Sequence, residues 1–472
     1  MTTLGRRIAS WVKGLKYGDL DDAAIREVKR RVIDSLATTL GAYDAHPPKI
    51  VREKAMAVTA GSPKRKDTPV VLSPNRPLPD PGATVWGTCH HTLPELAAFA
   101  NGAMVRYLDY NDTYLSLEPA HPSDNISAAA AVAEQTGRGG RDFILAVVIG
   151  YEIQCRLCDA ASLRAGGWDH VTYGALSTAA LAAKLWDLSE DQTEHALGLA
   201  GVCNIATRQT RTGQIADWKA CAFANAARNG VFAADLARRG MTGPHEIFEG
   251  PKGLIRQLNI PGVKNMALGR RGDYMINKTY IKYWPAEYHS QSAIEAILAL
   301  RPEIGKRDVV KLDIKSFEAA VSIIGSEPEK WRPTSRETAD HSMAYCVAVA
   351  MIDGDVTLAS FDDNRLRDPK VLALMDKTSI TEDAEMNKGY PKGIPNLLVV
   401  QLADGKTVQK RVDYPRGHAL NPMTDDEVVA KFRRLAAGVI ANETADRILD
   451  AAWRLDELDD LSGITAFEVL KH

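Results

Sequence analysis

The chain contains 472 residues, of which 45% are hydrophobic and 25% are charged, and its formal net charge at pH 7 is −2. This composition is typical of a globular protein with a sizeable core, and the length suggests more than one domain. No block of lysine and arginine stands out, so binding to nucleic acid has no electrostatic support. No apolar run approaches the roughly 20 residues that span a bilayer, and the first residues lack the features of a signal peptide. We therefore expect a soluble, cytoplasmic protein with neither nucleic acid nor a membrane as its partner.

The first half of the chain shows helical periodicity. Residues 22–40 carry apolar side chains at helical spacing and are followed by a glycine. Capping-box patterns that begin at Thr92 and at Ser189 predict two further helix starts. The alanine-rich segments 176–186 and 220–236 would let helices pack closely, so we predict a compact helical bundle. No GxGxxG or GxxxxGK[ST] motif lies between a strand and a helix, which argues against dinucleotide or P-loop chemistry.

The six cysteines are too few for a disulfide framework in a chain of this length. Cys155 and Cys158 form a CxxC motif, for which metal binding and redox chemistry are the functional alternatives. The motif lies within the helical pattern of residues 142–162 and no second CxxC occurs, so we expect two small buried thiols. Cys89 precedes a pair of histidines, but adjacent side chains diverge, and no HExxH motif is present. The sequence therefore predicts no metal site.

The pattern changes near residue 270, where β-branched and aromatic residues begin to alternate with polar ones. The predicted strands are residues 273–283, 309–316, 397–402 and 407–412, and the predicted helices between them are residues 289–300 and 340–352. The last two strands form a hairpin, because Asp404 and Gly405 suit a type I′ turn. Helix returns at a capping box that begins at Thr424. We predict a mainly α fold, with a large all-helical domain from residues 1–269 and 406–472 and a smaller α+β lid domain, residues 270–405, inserted into it.

The densest polar cluster of the first half, residues 106–125, follows a predicted helix. It contains Asp109, Thr113 and His121 together with several amides, and the residues before and after it are apolar. A loop with apolar flanks is expected to leave the core and return to it, which would bury its polar groups. We interpret this loop as part of a functional site rather than as a solvated loop.

A basic cluster precedes the second alanine-rich helix. It contains Arg208, Arg211 and Lys219. Cations near a helix N-terminus oppose the helix dipole, so their presence indicates that an anion binds there with help from backbone N–H groups. A solvated basic loop is the alternative, and the spacing alone favours it.

Further polar positions are weak indications when each is taken alone. Residues 284–289 include Glu287 and His289, residues 339–342 include His341, and residues 388–395 begin with Lys388. His170 precedes a helix of small residues and could equally be a structural histidine.

Taken together, these stretches resemble the MmgE/PrpD family, which includes 2-methylcitrate dehydratase. The stretches that carry the resemblance are ELAAFANGAMVRYLDYNDTY, HPSDN, RQTRTGQIADWKACAFANAARNGVFAA, YWPAEYHSQSAIEA, ADHSMAYCVAVAMIDG and GYPKGIPN. They occur in the family's order and span nearly the whole chain. The resemblance implies a large helical domain, a smaller α+β lid and a homodimer. The family also includes cis-aconitate decarboxylases and iminodisuccinate epimerases, so the reaction type stays open.

The resemblance also implies a set of pocket residues. We expect the catalytic residues to be Asp109, His121, His170, Lys219 and Tyr345. We expect the substrate to be bound by Thr113, Arg208, Arg211, Glu287, His289, His341 and Lys388. The lid histidine of the decarboxylases corresponds to Glu287, with His289 two residues on.

The reaction that the resemblance implies is removal of water from 2-methylcitrate or citrate, a small tricarboxylate. The proton next to a carboxylate is very weakly acidic, so the enzyme needs a base, cations that offset developing charge and an acid for the departing hydroxide. No cysteine constellation supports an iron–sulfur cluster, so we expect metal-independent chemistry with no cofactor. His121 and His170 are the candidates for base and acid, in either order. A non-catalytic helical interaction protein is the alternative of another class.

Overall fold

The computed structural model describes residues 2–63, 81–213 and 215–470. Its residues group into two compact units. The first unit comprises the described residues of Met1–Thr210, Trp218–Thr279 and Thr424–His472, and the second comprises those of Arg211–Asp217 and Tyr280–Met423. The prediction of a mainly α protein is confirmed. Among the described residues, no helix has both the length and the apolar content needed to cross a membrane.

The first unit is built almost entirely from helices. Its α-helices are Leu4–Gly14, Asp22–Gly41, His46–Met56, Pro94–Tyr107, Ile126–Thr136, Gly140–Ala160, Val171–Leu185, Glu190–Cys203, Trp218–Arg238, Leu254–Gln257, Asp425–Ala436, Asn442–Trp453 and Ser462–Thr465. It is not wholly helical, because Ala83–Thr84 and His91–Thr92 form a short antiparallel pair of strands. The backbone N–H and C=O groups of these residues pair between the two strands rather than within a helix.

The helix starts follow the capping rules at two of the three predicted boxes. The hydroxyls of Ser189 and Thr424 each accept from the backbone N–H of the third helical residue, and their own backbone N–H groups donate to the side chain of that residue. The box predicted at Thr92 is wrong. Thr92 belongs to the short strand pair, where its hydroxyl donates to the Ala55 carbonyl, and the helix begins at Pro94 after an N-cap without a side-chain bond.

Small residues bring the central helices of the first unit very close together. A Cβ added at Gly174 would lie 2.5 Å from the Phe223 ring, and one added at Gly230 would lie 2.0 Å from the Thr178 hydroxyl. Glycine is therefore required where helices Val171–Leu185 and Trp218–Arg238 cross. The close crossing fixes the N-terminal ends of both helices, from which two predicted site residues project.

The two ends of the chain meet in the core of the first unit. Asp34 of helix Asp22–Gly41 pairs with Lys431 at 2.6 Å, and both side chains are buried. The Lys431 ammonium also donates to the Tyr110 carbonyl at 2.7 Å and lies over the Tyr110 ring. A C-terminal helix thus holds a loop that lies more than 300 residues earlier in the chain.

The second unit contains a four-stranded sheet with helices. The strand order is Thr378–Glu382, Val309–Ser316, Asn396–Leu402, Thr407–Val412, and only the first pair is parallel. The α-helices are Gln291–Ile304, Glu318–Ala320, Pro328–Trp331, Arg336–Ala339, Met343–Asp353, Asp363–Leu366, Pro369–Met375 and Ala384–Asn387, and a π-helical turn occupies Val321–Gly325.

The predicted hairpin forms, but with a different turn. Asn396 pairs with Val412 and Gln401 with Thr407, and only Gly405 has a positive φ, +85°. A type I′ turn needs a positive φ at both central residues, so the turn is a three-residue loop with glycine in the left-handed position. The pairing keeps both strands in the second unit, so the boundary drawn at residue 405 lies within a hairpin.

The strand predicted at residues 273–283 is wrong. Met275–Lys278 forms a single 3-10 turn, because its backbone and its neighbours bond to side chains of helix Gly140–Ala160. Glu152 accepts from the Met275 backbone, and Arg156 donates to Asp273. The strand Thr378–Glu382, which was not predicted from the sequence, pairs with Val309–Ser316.

The first prediction concerns the contact between Gly140 and the C-terminal segment. A Cβ at Gly140 would lie 1.6 Å from the Leu455 carbonyl oxygen, which is backbone and cannot move aside easily. Gly140→Ala should therefore lower the free energy of unfolding by about 1–3 kcal/mol, as overpacking does. Gly14→Ala is the control, because nothing lies within 4 Å of its Cβ, and it should leave stability unchanged or raise it by about 0.4–1 kcal/mol. Equal melting temperatures for the two variants would contradict the packing described.

The second prediction concerns His418, which is buried in the second unit between two tyrosine rings. Its ring stacks on Tyr280 at 4.4 Å and packs on Tyr414 at 5.0 Å, and its Nδ1 accepts from the Leu420 backbone. Burial lowers the pKa of His418 from 6.5 to about 4. Because the folded pKa lies below the unfolded value, the stability contribution is complete above pH 6.5 and is lost as the pH falls towards 4.

We therefore expect the unfolding free energy to fall between pH 6.5 and pH 4 more steeply in the wild type than in His418→Phe, which keeps the ring stack. Denaturant unfolding at several pH values measures the two slopes. His46→Gln, at an exposed histidine, should retain the wild-type slope. A slope for His418→Phe equal to that of the wild type would show that His418 does not carry this pH dependence.

Candidate functional site

The predicted site residues fall in both units and are described as two groups. The first unit holds Asp109, Thr113, His121, His170, Arg208 and Lys219, and the second holds Arg211, Glu287, His289, His341, Tyr345 and Lys388.

A buried carboxylate, Asp109, joins two buried cations in the first unit. Asp109 follows the end of helix Pro94–Tyr107 and has a φ of +49°, a conformation that side chains other than glycine, asparagine and aspartate rarely adopt. The Arg106 guanidinium lies 2.8 Å from one of its oxygens, and the Lys219 ammonium lies 2.9 Å from the other. The three residues are between 1% and 3% exposed, so each charge needs the others.

The surroundings of Lys219 refine the inference drawn from the basic cluster. Lys219 is the second residue of helix Trp218–Arg238, where a positive charge opposes the dipole. The anion that compensates it in the structure is Asp109 of the same chain. Arg208 is only half-buried, and its backbone N–H donates to the Gly167 carbonyl.

Two histidines approach each other in the first unit. The ring centres of His121 and His170 lie 5.8 Å apart, with the planes inclined by 60°. His121 Nδ1 lies 2.8 Å from the Asp112 carbonyl oxygen, and His170 Nδ1 lies 3.1 Å from the Asp169 carboxylate. His170 is the N-cap residue of helix Val171–Leu185, so the close helix packing described above fixes its backbone.

The loop that carries His121 is cross-linked by its own polar groups. The Thr113 hydroxyl donates to the Ala120 carbonyl at 3.1 Å, and Tyr114 and Ala120 exchange two backbone hydrogen bonds. Asn111 donates to Asp124 at 2.8 Å. Thr113, predicted as a substrate-binding residue, therefore commits its hydroxyl proton to closing this loop.

Asp112 is a functional candidate that was not predicted from the sequence. Its carboxylate is fully buried and accepts from the Ser123 backbone at 2.8 Å and from the Tyr151 hydroxyl at 2.7 Å, with Arg31 at 3.7 Å. Burial raises the pKa of Asp112 above its ordinary value, and Arg31 and the hydrogen bonds from Tyr151 and Ser123 offset only part of this rise. Its position within the densest polar loop was the available signal, but its partners lie on distant helices.

Glu118 has a similar anchoring role at the other end of the loop. Its carboxylate accepts from the Ser162 hydroxyl and from the backbone N–H groups of Leu163 and Arg164, at 2.8 to 3.0 Å. Burial raises the pKa of Glu118. Its backbone N–H donates to the Cys158 carbonyl, and Cys158 is fully buried. Burial raises the pKa of this thiol, as expected for a structural cysteine.

The second unit holds two histidines that are each paired with a carboxylate. Glu287 lies 2.8 Å from His289 Nδ1, and Asp340 lies 2.5 Å from His341 Nδ1. The Asp340 carbonyl accepts from the Glu287 backbone at 2.8 Å, which ties the two pairs together. Burial would raise the pKa of Glu287, but the charges of His289, His341 and Lys282 outweigh it and lower the pKa to about 2. Lys282, fully buried, was not predicted from the sequence.

His289 is the residue of this group with an open hydrogen-bonding position. Its ring is buried and packs against the rings of Phe317 and Tyr390. Its Nε2 has no hydrogen-bond partner among the described residues. Because Glu287 is a carboxylate, it accepts from Nδ1, which leaves Nε2 as the atom that can accept or donate a proton.

The side chains of Tyr345 and Lys388 have partners other than the paired histidines. The Tyr345 hydroxyl is fully buried and donates to the Ser360 carbonyl at 2.5 Å, and burial raises its pKa. Lys388 is exposed and pairs with Glu385. No hydrogen bond or ion pair joins either side chain to Glu287 or His289. Arg211 ends the 3-10 turn Arg208–Arg211 and is half-buried.

Comparisons with known proteins match both parts of the chain. Residues 6–263 match the model of the MmgE/PrpD N-terminal domain, and residues 284–457 match that of the MmgE/PrpD C-terminal domain. A 2-methylcitrate dehydratase of Escherichia coli K12 is 29% identical over 80% of this chain and 83% of its own. One from Cupriavidus necator is 31% identical over 71% of this chain and 74% of its own. A cis-aconitate decarboxylase-like protein of Aspergillus oryzae, oryM, is 28% identical over 97% of this chain and 96% of its own. The chain belongs to the MmgE/PrpD family.

Proposed function

We propose that the protein is a dehydratase that removes water from a hydroxy-tricarboxylate, 2-methylcitrate or citrate, without a metal ion or other cofactor. The observation that carries the proposal is the pair of histidines, His121 and His170, in the same unit as the buried Lys219–Asp109 ion pair. The names of the two dehydratase relatives support the same reaction class.

The chemistry of the reaction explains why these residue types are needed. Loss of the proton places a second negative charge on a group that already carries a carboxylate, and loss of hydroxide needs a proton donor. Two imidazoles can serve as base and acid near neutral pH. A buried ammonium such as that of Lys219 stabilises developing negative charge more than an exposed one does, because little water screens it.

Substrate binding is proposed for a smaller set of residues than the sequence suggested. Arg208 is half-buried and cationic, so it is suited to a carboxylate. In the second unit, His289 is the best candidate because its buried Nε2 lacks a partner among the described residues. Exposed Lys388 is the weakest candidate, since its charge is already paired at the surface.

Decarboxylation of cis-aconitate is the second candidate function. The Aspergillus relative, whose name refers to that reaction, aligns with 97% of this chain. Both reactions use a polycarboxylate and a proton donor, so the same residues could serve either. The products distinguish them, because dehydration gives an unsaturated tricarboxylate and decarboxylation gives itaconate.

The third prediction is the outcome of a substrate panel. We expect the purified protein to convert 2-methylcitrate or citrate into the unsaturated acid, as followed by proton NMR, and to be inactive on iminodisuccinate. Itaconate formed from cis-aconitate would replace the dehydratase proposal with the decarboxylase one. Turnover of none of the four acids would contradict the enzyme proposal and favour a non-catalytic helical protein.

The same assay tests metal independence. We expect activity to be retained after treatment with EDTA. Loss of activity that a single added metal ion restores would contradict metal independence, while leaving the reaction class in place.

The fourth prediction concerns Lys219. Lys219→Met keeps the apolar stem and removes the charge, so we expect a higher KM and a kcat reduced by about 10²-fold or more, because carboxylate binding and charge stabilisation both suffer. Lys330→Met is the matched control. Lys330 is also buried, at 2% exposure, and pairs with Glu327 in the second unit. Both variants should lose stability, but only Lys219→Met should lose activity in its folded form. Equal kinetic losses in the two would show that Lys219 acts only through stability.

A further inference from the structure

The two histidines of the first unit have different partners at the same ring atom. His121 Nδ1 faces a backbone carbonyl, that of Asp112, at 2.8 Å. His170 Nδ1 faces a carboxylate, that of Asp169, at 3.1 Å. A neutral acceptor and a charged one favour different protonation states of an imidazole. The difference distinguishes a base from an acid, two roles that the sequence could not assign between His121 and His170. This assignment of roles rests on the proposed function.

The partner of His121 determines its tautomer. A carbonyl oxygen can only accept, so the 2.8 Å contact requires the hydrogen to be on Nδ1. In the neutral ring, Nε2 then carries the lone pair, which is the arrangement that a base needs. The carbonyl itself is held in place, because the Asp112 side chain is bonded to the Ser123 backbone and to the Tyr151 hydroxyl.

The partner of His170 favours the opposite state. The Asp169 carboxylate lies 3.1 Å from His170 Nδ1 and attracts a positive charge on the ring. Asp169 is fully buried, accepts from the Val171 backbone at 3.2 Å and donates its own N–H to the Ala206 carbonyl. The N-terminus of helix Val171–Leu185 opposes the imidazolium with roughly half a positive charge. The full negative charge in direct contact with the ring outweighs it.

We propose that His121 is the base of the dehydration, acting through Nε2, and that His170 is the acid that protonates the departing hydroxyl. His121 removes the proton from carbon, and the electron pair of that C–H bond becomes the second bond of the C=C. The neighbouring C–O bond breaks with its pair, and the hydroxide takes a proton from His170 and leaves as water. His121 has then gained one proton and His170 has lost one, and exchange with solvent restores both.

The spacing of the rings is compatible with this division of roles. The proton and the hydroxyl leave from adjacent carbons, and each must lie within about 3 Å of its imidazole nitrogen. Ring centres 5.8 Å apart, with planes inclined by 60°, can each reach one of two neighbouring carbons. One imidazole alone would have to return the proton it had just removed, across the width of the substrate.

The first test needs no substrate. In protein labelled with ¹⁵N-histidine, the ring nitrogen shifts at neutral pH should show His121 as the neutral Nδ1–H form and His170 as imidazolium. His121→Gln and His170→Gln assign the signals. A charged His121 beside a neutral His170 would overturn the assignment of roles, whatever the substrate proves to be.

The second test uses the leaving group. In the 2-methylcitrate analogue with fluorine in place of the departing hydroxyl, fluoride leaves with less help from an acid. His170→Gln should lose about 10²–10⁴-fold in turnover of 2-methylcitrate and much less with the fluoro analogue. His121→Gln should lose similar factors with both substrates. The reversed pattern would overturn the proposal, as would equal losses in the two variants.

Controls separate positioning from packing and from failure of the proposed function. Asp169→Asn should show the leaving-group dependence of His170→Gln, because it acts through that ring. Glu118→Gln alters a buried carboxylate that anchors the loop carrying His121. This variant should therefore have a lower melting temperature, but its loss of turnover should not depend on the leaving group. Wild-type protein that dehydrates neither 2-methylcitrate nor citrate would contradict the proposed function itself, and the ring nitrogen shifts would still report the charge states.

Discussion

The ion pair of Asp109 with Lys219 is the interaction on which the arrangement of the first unit's polar residues depends. A buried ammonium in the first turn of a helix opposes the helix dipole, and a buried aspartate in a left-handed conformation carries backbone strain. Each is tolerated because the other is 2.9 Å away. The pair joins the end of helix Pro94–Tyr107 to the start of helix Trp218–Arg238, so the charge for which we propose a catalytic role also sets where two helices meet.

The loop after Asp109 is also held in place by buried charged groups. Asp112 and Glu118 are both buried carboxylates, and each uses its oxygens to fix backbone N–H groups that would otherwise lack partners. These anchors leave the His121 ring with a defined Nδ1 partner. Hydrogen bonds from such supporting residues hold the side chain that the loop carries in one position.

The helices of the first unit were predictable because their determinants are local. Apolar periodicity and the capping box at Ser189 specify a helix within a few residues. Two wrong predictions concern segments whose secondary structure is determined by tertiary contacts. Thr92 has the sequence of an N-cap but pairs in a short strand, and residues 273–283 alternate like a strand but are bonded by Glu152 and Arg156. No local pattern reports partners on other elements, which lie 37 residues from Thr92 at Ala55 and more than a hundred residues from Asp273 and Met275.

The candidate site was predicted from residue types, and the pairings of its residues were not predicted from the sequence. Polar residues between apolar flanks indicated the loop of His121, and the family resemblance indicated Lys219. The partner of Lys219 is Asp109, more than a hundred residues earlier, and the anchor of Asp112 includes Tyr151. Such pairings depend on how helices cross, which residue spacing along one chain does not encode.

The contact of Lys431 with Asp34 and Tyr110 has a consequence for how the protein is made. Both partners leave the ribosome long before Lys431 is synthesised, and the interval to Tyr110 is 321 residues. Until then, Asp34 lacks the Lys431 ammonium that offsets its burial, which disfavours the final position of the helix that carries it. At ordinary rates of roughly 5–20 residues per second, the nascent first unit must wait for tens of seconds. The chain therefore completes this core only after Lys431 has been synthesised, and a chaperone that shields the unfinished helices has that interval in which to bind.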